Sequence, residues 1–124
     1  MPTAITMEIG KVTLKAELND SESAKSFLGL LPREISLSRW GDEYYGNCGI
    51  KVRESDDARE DMKVGELALW APGNALCVFF GPTPASRGRE PRAASPVNPI
   101  GRVLDDTAPL KGMGPSIRVK VARG

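Results

Sequence analysis

The sequence predicts a single, mainly β domain, built as a sandwich or a barrel from many short strands. Apolar and polar residues alternate over most of the chain, and turn residues recur roughly every eight to twelve positions. Only one stretch has the spacing of an amphipathic helix. The length of 124 residues fits one domain, and a chain of this size buries enough surface to form its own core.

A β-hairpin is predicted at the N-terminal end. Ile5, Met7 and Ile9 alternate with polar residues, and Gly10 with Lys11 provides the turn. The alternation then resumes at Val12, Leu14, Ala16 and Leu18.

One helix is predicted over residues 20–31. Asp20 is the expected N-cap, because its carboxylate can accept hydrogen bonds from the free amides of the first turn. Pro32 ends the helix. A single helix beside many strands is expected to plug or cap one end of a barrel. Its apolar face consists of Ala24, Phe27, Leu28 and Leu31.

Further strands are predicted where the period of two returns. Pro72, Gly73 and Asn74 form the turn between two of them, and residues 109–113 are expected to form a short helical turn. The predicted strands cover residues 33–40, 67–71, 75–80, 100–104 and 117–121.

The acidic stretch 54–66 is interpreted as a solvated loop. Its acids could in principle bind a hard cation, but their spacing does not match a calcium-binding EF-hand loop. The acids concerned are Asp56, Asp57, Glu60 and Asp61.

The stretch 81–99 holds five of the ten prolines and is therefore excluded as a central strand. Its length favours a lid or binding loop. Arg87, Arg89 and Arg92 could bind a phosphate or an acidic ligand, although a solvated loop paired with nearby acids is the favoured interpretation.

The amino-acid composition limits which catalytic and metal sites the chain can form. The chain has no His and no Gln, so His-dependent nucleophile pairs are excluded and zinc is not expected. Cys48 and Cys77 are expected to be reduced, buried thiols. No motif indicates a metal or cofactor, and the net charge of +1 gives no general attraction to nucleic acid or membranes. Without an evident signal peptide or membrane span, a cytoplasmic protein is expected.

Three stretches together resemble cyclophilins, most closely the compact prokaryotic cyclophilin-like group of unassigned function. They are DSESAKSFLGLLP from Asp20, LALWAPGNALCVFFGPTP from Leu67 and VNPIGRVLDDTAPLKGM from Val97. The resemblance spans nearly the whole chain. It implies a closed β-barrel of about eight strands with one capping α-helix, a short second helical turn and a shallow groove on the outer face. It also implies that Phe27 packs into one open end.

The resemblance further implies the residues of a proline-binding pocket. Arg39 takes the place of the arginine that donates to the prolyl nitrogen in the transition state. Val97 stands at the position of the family's pocket histidine, and the pocket glutamine has no counterpart because the chain contains none. The expected binding residues are Trp40, Tyr44, Tyr45, Pro72, Gly73, Phe80 and Val97.

The absence of the family's pocket histidine and glutamine favours a binding module over a catalyst. The first hypothesis is a groove that holds a proline-containing peptide or protein segment, or a small ligand, with little or no catalysis. The second is a weak peptidyl-prolyl cis-trans isomerase that uses Arg39 and Phe80. The third is an interaction barrel that acts through the Pro-rich loop 82–99. The sequence leaves the oligomeric state open.

Overall fold

The structure, a computed structural model, describes residues 2–124 and forms one continuous antiparallel sheet. Its strands are β1 (Thr3–Ile9), β2 (Val12–Leu18), β3 (Arg33–Arg39), β4 (Glu43–Asn47), β5 (Arg59–Asp61), β6 (Glu66–Trp70), β7 (Ala75–Phe79), β8 (Arg92–Val103) and β9 (Ser116–Arg123). Its helices are α1 (Glu22–Leu28) and α2 (Ala108–Lys111).

Eight of the strands close into a barrel. They follow the order β2, β1, β9, β3, β4, β7, β6, β8, and β2 pairs with β8 to complete the ring. The short β5 lies outside the ring and pairs with β8. The expected mainly β fold, with a closed barrel of about eight strands, one α-helix and a short second helical turn, is confirmed.

The inside of the barrel is filled by alternate residues of its strands. The predicted N-terminal hairpin is confirmed, with Ile9 opposite Val12 at its tight end. Its inward side chains belong to one large apolar cluster that Phe27 of α1 joins. Because successive residues of a strand point to opposite faces, the outward side chains of the same strands are available for a second layer.

A second, smaller apolar cluster lies on the outer face of β6 and β7. Every residue of β7 is buried, so this strand is covered on both faces. Residues of the N-terminal half of β8 and the residue after β5 provide the outer cover. The cluster consists of Met62, Ala68, Cys77, Phe79, Ala93 and Val97, with Trp70 packed against it.

Helix α1 is shorter than predicted and has a different N-cap. Ser21 caps the helix through its hydroxyl, which accepts from the Ala24 amide at 3.1 Å, so the prediction of Asp20 as the cap was wrong. The helix ends before Gly29, which has a low helix propensity, and turns continue to Pro32. Neither helix within residues 2–124 is long and apolar enough to cross a membrane.

Two loop predictions were also wrong. Residues 92–99 belong to β8 although they contain Pro96 and Pro99. A proline has no amide hydrogen to donate to a neighbouring strand. Both prolines fit in β8 because its register shifts beside them, against β5 and against β6, so the regular pattern of inter-strand hydrogen bonds is interrupted there. The acidic stretch 54–66 contains β5 and the buried Met62, so it is only partly a solvated loop.

We expect Phe27→Ala to lower the free energy of unfolding by roughly 3–5 kcal/mol, because it leaves a cavity between α1 and the barrel core. Chemical denaturation measures this loss. Ser26→Ala, at an exposed position of the same helix, should change stability by less than about 0.5 kcal/mol. A loss below about 1 kcal/mol for Phe27→Ala would mean that the helix does not depend on this contact.

Candidate functional site

A groove of about 270 Å³ opens on the outer face of the barrel. Both tryptophans of the chain line it, together with one tyrosine and one acid. We call it the aromatic groove. It is lined by Trp40, Glu43, Tyr45, Trp70, Cys77, Ala93, Ala94, Ser95 and Val97.

Strand alternation explains why these side chains meet. Glu43 and Tyr45 are two residues apart on β4 and therefore point to the same, outer face, while Tyr44 between them points into the barrel. Tyr45 lies directly opposite Cys77 on β7, which faces outward as well. The N-terminal half of β8 lies across this face and forms the far wall.

Trp70 is fixed in place by two contacts. Its indole N–H donates to the Ser95 hydroxyl at 2.7 Å, which ties the end of β6 to β8. Its ring also lies against Gly73 in the turn that follows. A Cβ at Gly73 would lie 2.6 Å from a ring carbon, so only glycine allows this close approach.

Glu43 is the unusual member of the groove. The residue is only 5% exposed. A hydrogen bond from the Cys77 thiol, a weak donor, favours its charged form. No ion pair within residues 2–124 includes Glu43. An acid is thus held in an apolar setting without a counter-charge from the part of the chain that the structure describes.

This setting changes the ionisation of both groups. Burial raises the pKa of the Glu43 carboxyl from 4.5 to about 7, and the hydrogen bond with Cys77 opposes the rise only in part. Burial also raises the pKa of the Cys77 thiol well above its usual value, and the neighbouring Glu43 adds to the effect. Cys77 is therefore a neutral donor rather than a nucleophile.

Arg39 lies outside the aromatic groove. Its Nε donates to the Gly41 carbonyl at 2.8 Å, its Nη1 donates to the carbonyls of Lys111 and Met113, and its Nη2 pairs with Asp42 at 3.0 Å. All three nitrogens thus donate within the chain. The side chain anchors the last residue of α2 and the segment after it to the turn between β3 and β4.

Arg39 also covers two aromatic rings of the barrel interior. Its guanidinium carbon lies 5.1 Å from the centre of the Phe80 ring and 5.8 Å from that of Tyr44, and these two rings stack on each other. The Tyr44 hydroxyl donates to the Gly114 carbonyl at 2.6 Å. Tyr44 and Phe80 are fully buried, so they contribute to the core and not to the groove.

The structure therefore brings together only part of the expected site. Trp40, Tyr45 and Val97 line the aromatic groove. Pro72 is exposed on the 3-10 turn after β6, and Gly73 reaches the groove only indirectly, by supporting Trp70.

The acidic stretch 54–66 and the arginine-bearing stretch 81–99 form ion pairs with each other. Arg92 bonds to Glu60 at 3.1 Å and to Asp61 at 2.9 Å, while Arg87 and Arg89 are exposed. Within residues 2–124 no cluster of three or more acids or cysteines could hold a metal ion. A second, more polar depression near β2 and β8 is lined by Asp57 and Lys63 and by two ion pairs, Arg59 with Glu66 and Arg102 with Glu17.

Sequence reasoning missed Glu43, the central polar group of the groove. Its neighbours Gly41, Asp42 and Gly46 indicate a turn, and nothing in the local pattern indicates a buried acid. One signal in the sequence did indicate an apolar layer on the outer face of the barrel. The run Ala75–Phe79 is apolar without alternation, which is typical of a strand covered on both faces.

Comparison with known proteins agrees with this architecture. The family description "Cyclophilin-like" matches residues 3–122. The solution structure of a hypothetical protein from Archaeoglobus fulgidus matches with 31% sequence identity and a TM-score of 0.83, covering 99% of this chain and 95% of the other. No curated protein matches the sequence.

The ionisation of Glu43 predicts how stability depends on pH. Because the folded state holds the proton more tightly than the unfolded chain, the contribution of Glu43 to stability is fully present below pH 4.5 and is lost as pH rises through about 7. This loss is about 3 kcal/mol. We expect the free energy of unfolding of Glu43→Gln, relative to the unsubstituted protein, to rise by that amount across this interval.

Chemical denaturation at a series of pH values measures the difference. Glu8→Gln, at an exposed position on β1, is the matched control and should show no such trend. A flat difference between Glu43→Gln and the unsubstituted protein would place the carboxyl in water.

Proposed function

The chain belongs to the cyclophilin-like family, and on that premise we propose that it is a binding module whose aromatic groove holds a proline-containing peptide segment or a small ligand. The observation that carries the proposal is the groove itself, where Trp40, Tyr45 and Trp70 meet a few polar groups. Ligand sites in proteins have this composition, mostly apolar walls with a small number of placed polar groups. Aromatic walls also suit a prolyl ring, which loses water there at little cost.

The environment of Arg39 supports binding without catalysis. An isomerase of this family needs an arginine whose donor strengthens its contact with the prolyl nitrogen in the transition state. Arg39 directs its nitrogens to Gly41, Asp42 and the segment after α2, and it does not line the groove. To donate to a substrate, the Arg39 side chain would have to break these hydrogen bonds. The isomerase hypothesis therefore lacks an arginine donor directed at the groove.

The interaction-loop hypothesis has less support from the geometry. Residues 92–99 of the proposed loop belong to β8 and help to cover the outer face of the barrel, so they are not free to be captured. The remaining part is held by internal hydrogen bonds, from Ser86 to the Glu90 carbonyl and from Thr83 to the Arg92 carbonyl. Only residues 87–90 form a fully exposed run there.

Binding is directly measurable because both tryptophans lie in the groove. We expect a short, capped and uncharged peptide with a central Ala-Pro pair to change the tryptophan fluorescence saturably, and the same peptide with Pro replaced by Ala to bind more weakly. Tyr45→Ala should weaken binding by about tenfold, because it removes one aromatic wall. Leu104→Ala, a truncation at an exposed apolar residue outside the groove, should leave binding unchanged.

Two results would contradict this proposal. Equal effects of Tyr45→Ala and Leu104→Ala would show that the peptide binds elsewhere. Strong acceleration of prolyl isomerisation, abolished by Arg39→Ala in a protein that remains folded, would instead support the isomerase hypothesis.

A further inference from the structure

The aromatic groove contains an acid that forms no ion pair with any residue between 2 and 124. Glu43 lies with both tryptophans and Tyr45 around one space, and its residue is 5% exposed. Among the groove residues, only Tyr45 and Cys77 can also titrate, and no Lys, Arg or Asp lines the groove. The nearest basic residue along the facing strand, Arg92, is already bound to Glu60 and Asp61.

An ionised carboxylate in such a place is unfavourable in free energy, and a ligand of opposite charge can offset this. Burying an ionised carboxylate without a partner is unfavourable because water no longer solvates the charge. A cation in the groove would supply the missing charge. The faces of Trp and Tyr rings carry partial negative charge, so the walls of the groove would attract the same cation.

The chemistry of the walls selects the kind of cation. A primary ammonium brings three N–H donors that each need an acceptor, and the side chains that line the groove offer few: the Glu43 carboxylate and the Tyr45 and Ser95 hydroxyls, of which Ser95 already accepts one hydrogen bond from Trp70. An alkylated ammonium is weakly hydrated, has few or no N–H donors and presents methyl groups to aromatic faces. The volume of about 270 Å³ has room for one compact head group of this kind.

We propose that the aromatic groove binds a compact quaternary ammonium group, with Glu43 as its counter-ion and Trp40, Tyr45 and Trp70 as its walls. The inference rests on the proposed function, because it names the chemical class of ligand for the same groove. It goes further in stating that the groove prefers a positively charged ligand over a neutral one of the same shape.

The test compares choline with neohexanol, its neutral isostere, in which a carbon atom replaces the charged nitrogen. Tryptophan fluorescence or protein NMR shifts measure the two affinities. We expect choline to bind at least about tenfold more tightly than neohexanol. Glu43→Gln should remove this preference, while Glu8→Gln, at its exposed position on β1, should keep it.

A pH series gives a second measurement that needs no substitution. The charge of choline does not change with pH, whereas the Glu43 carboxyl ionises around pH 7. The affinity for choline should therefore rise by about tenfold between roughly pH 5 and pH 8, and that for neohexanol should stay constant. If Glu43→Gln does not fold, this pH series decides the question.

The outcomes separate the two proposals. Equal affinity for choline and neohexanol, with no pH dependence, would overturn the preference for a cation and leave a groove that binds neutral ligands. Absence of binding by choline, neohexanol and the prolyl peptide would overturn both proposals.

Discussion

The pairing of β2 with β8 is the contact on which the rest of the structure depends. Only three residue pairs join these strands, and Gly101 stands opposite Leu18 in one of them. A Cβ at Gly101 would lie 2.0 Å from the Glu17 carbonyl oxygen, so any larger residue would force the two backbones apart. An open sheet would expose two strand edges and one side of the apolar interior to water.

The same strand that closes the barrel also builds the groove. The C-terminal half of β8 pairs with β2 and β6, whereas its N-terminal half reaches the outer face, where Ala93 and Val97 pack with Cys77 and Phe79. The register of β8 against β6 shifts within the C-terminal half, between Pro99 and Gly101. Because this cover removes water from the outer face of β4 and β7, the acid on that face becomes a buried group with a raised pKa. Fold closure and site electrostatics thus depend on one strand.

Local patterns predicted the fold better than the site. Alternation at Ile5, Met7 and Ile9 predicted the hairpin, since a half-buried strand leaves that pattern in any context. Phe79 and Phe80 illustrate the limit of such reasoning. Alternation requires them to face opposite ways, but it does not say that Phe80 faces the core and Phe79 the covered outer face. Glu43 and the strand containing Pro96 were not predictable locally, because a distant segment determines both environments.

The claim on which the site depends is that the Glu43 carboxyl lies in the groove almost out of contact with water, since its residue is only 5% exposed. The most direct measurement is an NMR titration of its carboxyl carbon, assigned by comparison with Glu43→Gln. A midpoint near pH 7 is expected, and a lower midpoint when choline is present. A midpoint near 4.5 that choline does not move would show a solvated side chain and would contradict its burial in the groove.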